Sequence, residues 1–399
     1  MRPRPPWRLA SSAAALVASF ALVSTGSLAA GGPAWAADQP AADSTALSGP
    51  LGGPLLDTRD VVAPPGTPPL PPVSAAAWMV ADLDSGEVLA ARDPHGRFAP
   101  ASSLKILTAL TLTPRLDRDA PAVASNADTE VDGTTVGLVA GQAYPVSELM
   151  TALMVVSAND ASETLAAAGG GRNATIGLMN AEATRLQARD TTARTPSGLD
   201  APDQVSSAYD LALIVRQAMT LPDFAKYVAT RQATIAAPNN KRIEMFTHDR
   251  LLLNYPGAIG IKNGYTVAAH ASFVGAATRN GHTLVVTLLR AEPSVWHEAA
   301  ALLDWGFASE SAGRVGWLVA PAPPAVTDPV GAETTAAESG PVGAPAGRQI
   351  RAAAVHGATA IATSRRSSSV VPVGIIGTGV LIALIGLRTG VSRRRDPLA

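Results

Sequence analysis

The chain has 399 residues, 47% of them hydrophobic, with a formal net charge of −1, six histidines and no cysteine. Disulfides, thiol catalysis and cysteine-held metal are thereby excluded. The near-neutral balance, with no basic block outside the last residues, argues against nucleic acid as a partner. No histidine pair has H-x-x-x-H spacing, so neither a metal nor any other cofactor is expected.

Residues 1–36 begin with Arg2, Arg4 and Arg8, continue through an uncharged run from Leu9 to Ala30 and end in small residues around Ala34 and Ala36. That order reads as an export signal cleaved near Ala36 or Ala37, with an uncleaved anchor as the alternative. Residues 37–75 are rich in proline and carry little pattern, which predicts a disordered linker. A body of ordinary domain size is expected over residues 76–318. Beyond it, residues 319–369 are rich in Ala, Pro, Thr, Gly and Ser, have no Phe, Trp or Tyr and read as a disordered tether. The uncharged stretch Val370 to Leu387 then predicts a membrane-spanning helix. Arg388 and the triplet Arg393, Arg394 and Arg395 follow it, so residues 388–399 are expected in the cytoplasm and the body outside.

Within the body, "AAWMVADLDSGEVLAARD" alternates around the turn residues Asp84, Ser85 and Gly86 and predicts a strand, turn, strand unit. Helical spacing sets in from Pro100 to Leu110. "YPVSELMTALMVVSANDASETLAAAGGG" reads as helix, short break and helix, and two amphipathic runs, "ATIGLMNAEATRLQA" and "SSAYDLALIVRQAM", complete a helical middle. Asn280-Gly281 between apolar runs is a hairpin signal, and a last helix is expected over about Ser294 to Trp305. Strands at both ends with helices between them predict one sheet built from both termini and a helical section packed on it, an α/β architecture.

Three short stretches bear chemistry. Only four lysines occur among the 31 basic Lys and Arg residues, and one of them, Lys105, stands three positions after Ser102. On a helix the two share a face, and a lysine shielded from water can act as a base where an arginine cannot. The alternative is a helix-capping serine beside an incidental lysine. Ser157 and Asn159 sit in the break between two helices, where they either cap the second helix or serve the site. "IGIKNGYT" holds Lys262, Gly264, Tyr265 and Thr266. Asn263-Gly264 within it is either a hairpin turn or part of an edge strand on which a glycine admits a substrate backbone.

Taken in order, Ser-x-x-Lys, Ser-x-Asn and Lys-x-Gly resemble the motif set of penicillin-binding proteins and serine β-lactamases. "WMVADLDSGEVLAARD", "TPSGLD", "GIKNGYT" and "LLDWGF" are similar in more detail to the D-alanyl-D-alanine carboxypeptidase family, and the resemblance covers about residues 76–308. It implies a β-lactamase/transpeptidase-like sandwich of a mainly antiparallel sheet with flanking helices and a helical subdomain. It also implies an enzyme of peptidoglycan biosynthesis and cell shape whose substrate is a peptidoglycan stem peptide and whose covalent inhibitors are β-lactams. Ser102 would be the nucleophile, Lys105 its base and Ser157 a proton relay. Asn159 would hold a substrate amide and Lys105, the amides of Ser102 and Tyr265 would form an oxyanion hole, and Lys262 and Thr266 would bind the terminal carboxylate. A serine β-lactamase and a catalytically silent wall-binding protein are the alternatives. Asn263 departs from the Thr or Ser usual in the strand motif, and "THDRLL" stands where an Asn-x-Asn-like segment is common. Glu148, Glu163 and Glu182 have no context that marks a water-activating acid.

Overall fold

The structure, a computed structural model, describes residues 51–322. Strands β1 (Val61–Val62), β2 (Ala77–Asp82) and β3 (Glu87–Arg92) open the domain. A 3-10 turn over Ala101–Leu104 then runs into α1 (Lys105–Leu112). The helical section follows with β4 (Pro121–Val123), α2 (Asn126–Thr129), β5 (Ala143–Pro145), α3 (Val146–Val155), α4 (Asn159–Ala168), α5 (Arg172–Arg185), α6 (Ala208–Ala218) and α7 (Pro222–Ala229). A hairpin of β6 (Gln232–Ala237) and β7 (Lys241–Phe246) and the short α8 (Arg250–Asn254) lead to β8 (Ala258–Thr266), β9 (His270–Arg279) and β10 (His282–Ala291). Helix α9 (Val295–Ser309) and β11 (Gly316–Trp317) close the domain.

The main sheet has seven antiparallel strands in the order β1-β3-β2-β10-β9-β8, with β11 also on β3, so both ends of the domain contribute to it as the strand pattern predicts. Every residue of β2 is buried because both sheet faces are covered. Met79 and Ala81 join the core under α1 and α6, while Trp78 and Val80 join Leu302, Leu303 and Trp305 of α9. Asn280 and Gly281, with φ of 53° and 87°, form the predicted turn between the paired Arg279 and His282. Their left-handed backbone matches the right-handed twist of the two strands.

The expectation of a disordered linker up to residue 75 needs correction, because residues 51–75 lie against the domain. Leu56 is fully buried, Val61 and Val62 pair with Arg92 and Ala91, and Trp305 Nε1 donates to the Pro68 carbonyl at 2.8 Å. The prolines obscure this in the sequence, since the chain they mark forms little more than a 3-10 turn and the two-residue β1 yet still packs side chains. The tether also starts later than residue 319, as the amides of Val319 and Ala322 donate to Tyr209 Oη and the Arg185 carbonyl at 3.0 and 2.7 Å. Among the described residues no helix is long and apolar enough to cross a membrane. The predicted signal at residues 1–36, most of the tether, the span at residues 370–387 and the tail at residues 388–399 lie outside the described residues.

Leu56→Ala should destabilise the domain by about 2–5 kcal/mol in chemical denaturation, as for other buried leucines. The neighbouring Leu55, 54% exposed, should tolerate alanine within about 0.5 kcal/mol.

Candidate active site

The approach to Ser102 is bent by Ala101, whose φ of 46° is left-handed for a residue with a Cβ. The bend launches the 3-10 turn, and α1 begins at Lys105 with Leu104 as its N-cap and no side-chain cap bond. Ser102 is therefore not a helix cap. Ser103, beside it, is buried and gives its hydroxyl to the Pro100 carbonyl at 2.5 Å. Ser272 of β9 donates to the same carbonyl at 2.7 Å and ties the turn to the sheet. Of the two adjacent serines, only Ser102 has its hydroxyl directed to a potential base.

The candidate for that base is Lys105. It has no exposed surface, and its Nζ lies 3.0 Å from Ser102 Oγ, 2.7 Å from Asn159 Oδ1 and in contact with the Ser197 carbonyl. Burial pushes the amine well below the ordinary lysine value, and the Lys262 charge pushes the same way, while Glu163 acts in the opposite direction. A neutral amine has two N–H groups and one lone pair. The Asn159 and Ser197 oxygens can only accept, so they take the two N–H groups and leave the lone pair for the Ser102 hydroxyl.

Ser157 lies in the predicted break between α3 and α4, and Asn159 is the first residue of α4. The N-cap of α4 is Ala158 and no side chain caps the helix, so neither residue has the capping role. Ser157 is buried with a left-handed φ of 62°, and among the described residues no hydrogen bond fixes its hydroxyl. Asn159 is held at three points. Oδ1 accepts from Lys105, Nδ2 donates to the Asp132 carbonyl at 2.7 Å, and its backbone amide donates to the Thr134 carbonyl at 2.7 Å.

"IGIKNGYT" is strand, not turn, and β8 forms one margin of the sheet. Lys262 pairs with Val274 and Gly264 with Ser272. Lys262 is fully buried, donates to the Asn263 carbonyl at 2.7 Å, and is lowered by burial to about 7, with the Asp249 charge opposing the shift. Gly264 has a reason that the sequence does not disclose. A Cβ there would stand 2.6 Å from both the Ser102 amide nitrogen and Ser272 Oγ, so the glycine lets the strand close on the Ser102 turn. That same closeness brings the Ser102 amide beside the strand that carries Tyr265. The Tyr265 side chain is 60% exposed. The Thr266 hydroxyl donates to Asp200 Oδ1 at 2.8 Å and accepts from the Ala269 amide. Asn263, registered with Phe273, lines a cavity of about 180 Å3 together with His248, Arg250, Tyr265 and Trp296.

Sequence reasoning assigned no role to the "TPSGLD" turn, which supplies the third oxygen around Lys105. Thr195 and Gly198, whose φ is 78°, shape it through a 2.9 Å bond from the Gly198 amide to Thr195 Oγ1. Thr108 donates to the Pro196 carbonyl at 2.7 Å and fixes the turn to α1, the helix of Lys105. A proline and a glycine around a serine were the available signal, but a backbone carbonyl leaves no trace in residue type. Glu148, Glu163 and Glu182 are each paired with an arginine, Arg242, Arg172 and Arg185, at 2.6, 3.1 and 2.7 Å.

Lys105→Arg keeps the charge but no base, and acylation of Ser102 by a fluorescent penicillin should fall roughly 100-fold to 10,000-fold. Lys262→Met removes a positive charge that holds the Lys105 amine low, so the acid limb of the acylation profile should move to higher pH. Stopped-flow acylation across pH measures both effects.

Residues 64–292 match the D-alanyl-D-alanine carboxypeptidase family of peptidases. The curated relative DacB2 of Mycobacterium tuberculosis, a D-alanyl-D-alanine carboxypeptidase, is 44% identical over 264 residues, covering 64% of this chain and 90% of DacB2. DacF of Bacillus subtilis, of the same description, is 26% identical over 241 residues, 58% of this chain and 62% of DacF. The crystal structure of a D-alanyl-D-alanine carboxypeptidase from M. tuberculosis superposes with a TM-score of 0.62 at 44% identity, covering 64% of this chain and 99% of that one. A mutant of a Streptomyces DD-transpeptidase superposes at 0.57 and 26% identity, covering 60% of this chain and 99% of its own. The motif set and its spatial convergence agree with these comparisons, and the chain belongs to the D-alanyl-D-alanine carboxypeptidase family of serine hydrolases.

Proposed function

We propose that this protein removes the terminal D-alanine from peptidoglycan stem peptides through an acyl-enzyme on Ser102. The observation that carries the reading is the fully buried Lys105 amine, 3.0 Å from Ser102 Oγ, whose two other contacts accept only. Ser102 Oγ attacks the carbonyl between the two D-alanines as its proton passes to Lys105. Collapse of the tetrahedral intermediate breaks the C–N bond, and the leaving amine takes its proton through Ser157. Water then hydrolyses the ester and restores the hydroxyl. The amides of Ser102 and Tyr265 stabilise the oxyanion. Lys262 and Thr266 hold the substrate carboxylate, for which Thr266 exchanges its bond to Asp200 for one to the ligand.

The runner-up, a serine β-lactamase, needs an acid that activates water against the penicilloyl ester. Glu148, Glu163 and Glu182 of the helical section are engaged with arginines instead. The sequence further supports export and membrane anchoring through residues 370–387, with the domain on the cell-wall side.

Incubation with a pentapeptide stem should release free D-alanine, and labelled penicillin should mark Ser102 in peptide mass spectrometry. D-alanine release should outpace loss of the penicilloyl adduct by orders of magnitude; equal rates would favour the β-lactamase reading, and no adduct a silent binding protein. The full chain should sediment with membranes after a high-salt wash, since apolar burial is not screened by salt, and a chain ending at residue 326 should be soluble and active.

A further inference from the structure

Asp160 follows Asn159 in sequence, is 1% exposed and has no cationic partner among the described residues. Its carboxylate is given over to backbone amides. Oδ1 accepts from Val136 and Ala161 at 3.0 and 2.9 Å, and Oδ2 accepts from Gly137 and Leu138 at 2.9 and 3.0 Å. Three successive amides converging on one anion form a charge-assisted nest. The segment they belong to, residues 132–138, has no helix or strand and is mostly exposed, with Leu138 its one buried side chain. Leu138, and Val136 packed partly buried beside it, add apolar contact with the core.

The same segment returns two carbonyls to Asn159. The Asp132 carbonyl accepts from Nδ2, and the Thr134 carbonyl accepts from the backbone amide, both at 2.7 Å. The two ends of a carboxamide are alike in shape and opposite in chemistry, so a neighbour must choose between them. A carbonyl can only accept, and with Asp132 in place Nδ2 must face it and Oδ1 must face Lys105. Were the amide reversed, its N–H groups would point at the amine and compete with Ser102 for the lone pair.

We infer that Asp160 is a positioning residue for acylation: by clamping residues 132–138 it fixes which atom of the Asn159 amide faces Lys105, and so where the lone pair of the base points. The inference rests on Lys105 being the base of Ser102. Asp160 also lies in the first turn of α4, where an acid stabilises the helix, and the experiment has to separate the two roles.

Asp160→Asn removes the charge and turns a donor toward the loop amides. Gly133→Ala leaves Asp160 intact but would place a Cβ 2.8 Å from Asn159 Nδ2, on a residue with φ of +80°. Acylation by a fluorescent penicillin is followed across pH for both variants, with the folded fraction measured by thermal melting. The expected plateau rate falls roughly tenfold to 100-fold, the scale of a small misplacement in a catalytic site. The acid limb moves to lower pH, because N–H groups facing Lys105 disfavour its ammonium form. Unchanged rate and acid limb would overturn the inference. So would a slower rate whose acid limb stays in place or rises, since that is the signature of a loosened, wetter site or a weakened helix. If Asp160→Asn does not fold, Gly133→Ala decides by the same readouts. Lys105→Arg keeps the two readings apart: normal acylation there removes the base itself, whereas loss there with an unchanged Asp160→Asn removes only the clamp.

Discussion

A lysine amine with no exposed surface lies beside a serine hydroxyl, and the rest of the site follows from the difficulty of keeping it there. Burying an uncompensated ammonium costs several kcal/mol, and a neutral amine still has two N–H groups that require acceptors. The oxygens come from positions 102, 159 and 197, which lie on three separate segments of the chain. Those segments can meet only if the helical section docks on α1. The bond from Thr108 to the Pro196 carbonyl and the shared core of α1, α5 and α6 secure that docking. Catalytic geometry and domain packing are here the same set of contacts.

A second buried lysine tunes the first. The Lys262 ammonium has a backbone carbonyl as its hydrogen-bond partner, and Asp249, part of whose carboxylate caps α8, supplies the opposing charge. The positive charge of Lys262 helps to keep the Lys105 amine neutral. The two segments that bring groups to the site also contain left-handed residues with side chains, Ala101 and Ser157. Such backbone persists only where the surroundings over-determine it. Around Ala101 the bonds of Ser103 and Ser272 to the Pro100 carbonyl do so.

Much of this was legible in residue order. The turn residues Asp84, Ser85 and Gly86 between apolar runs located β2 and β3, although full burial of β2 replaces the expected alternation; Asn280-Gly281 located the hairpin, and the scarcity of lysine singled out Lys105. What could not be read falls into two kinds. Backbone groups such as the Ser197 carbonyl and the loop amides around Asp160 serve the site irrespective of the side chain they belong to, so residue type does not announce them. Docked chain with little regular structure, as in residues 51–75, lacks the periodicity by which burial is inferred, although Leu56 is as buried as any strand residue. The reason for Gly264 also became apparent only once β8 and the Ser102 turn were seen together.

Of the two margins of the sheet, the chain closes one itself: β1 and β11 divide the outer side of β3 between Arg92 and Ala91 at one end and Val88 and Glu87 at the other. The margin at β8 carries Lys262, Gly264 and Tyr265 and is unpaired among the described residues. A peptide laid along such a margin can be accepted only in discrete registers, because a slip of one residue turns every side chain to the opposite face. A residue of D configuration also directs its side chain where an L residue carries only hydrogen. Under the proposed function, the open margin beside the Ser102 hydroxyl would work as a ruler, gauging how far the reacting carbonyl lies from the end of a peptide and of which hand its last residues are made.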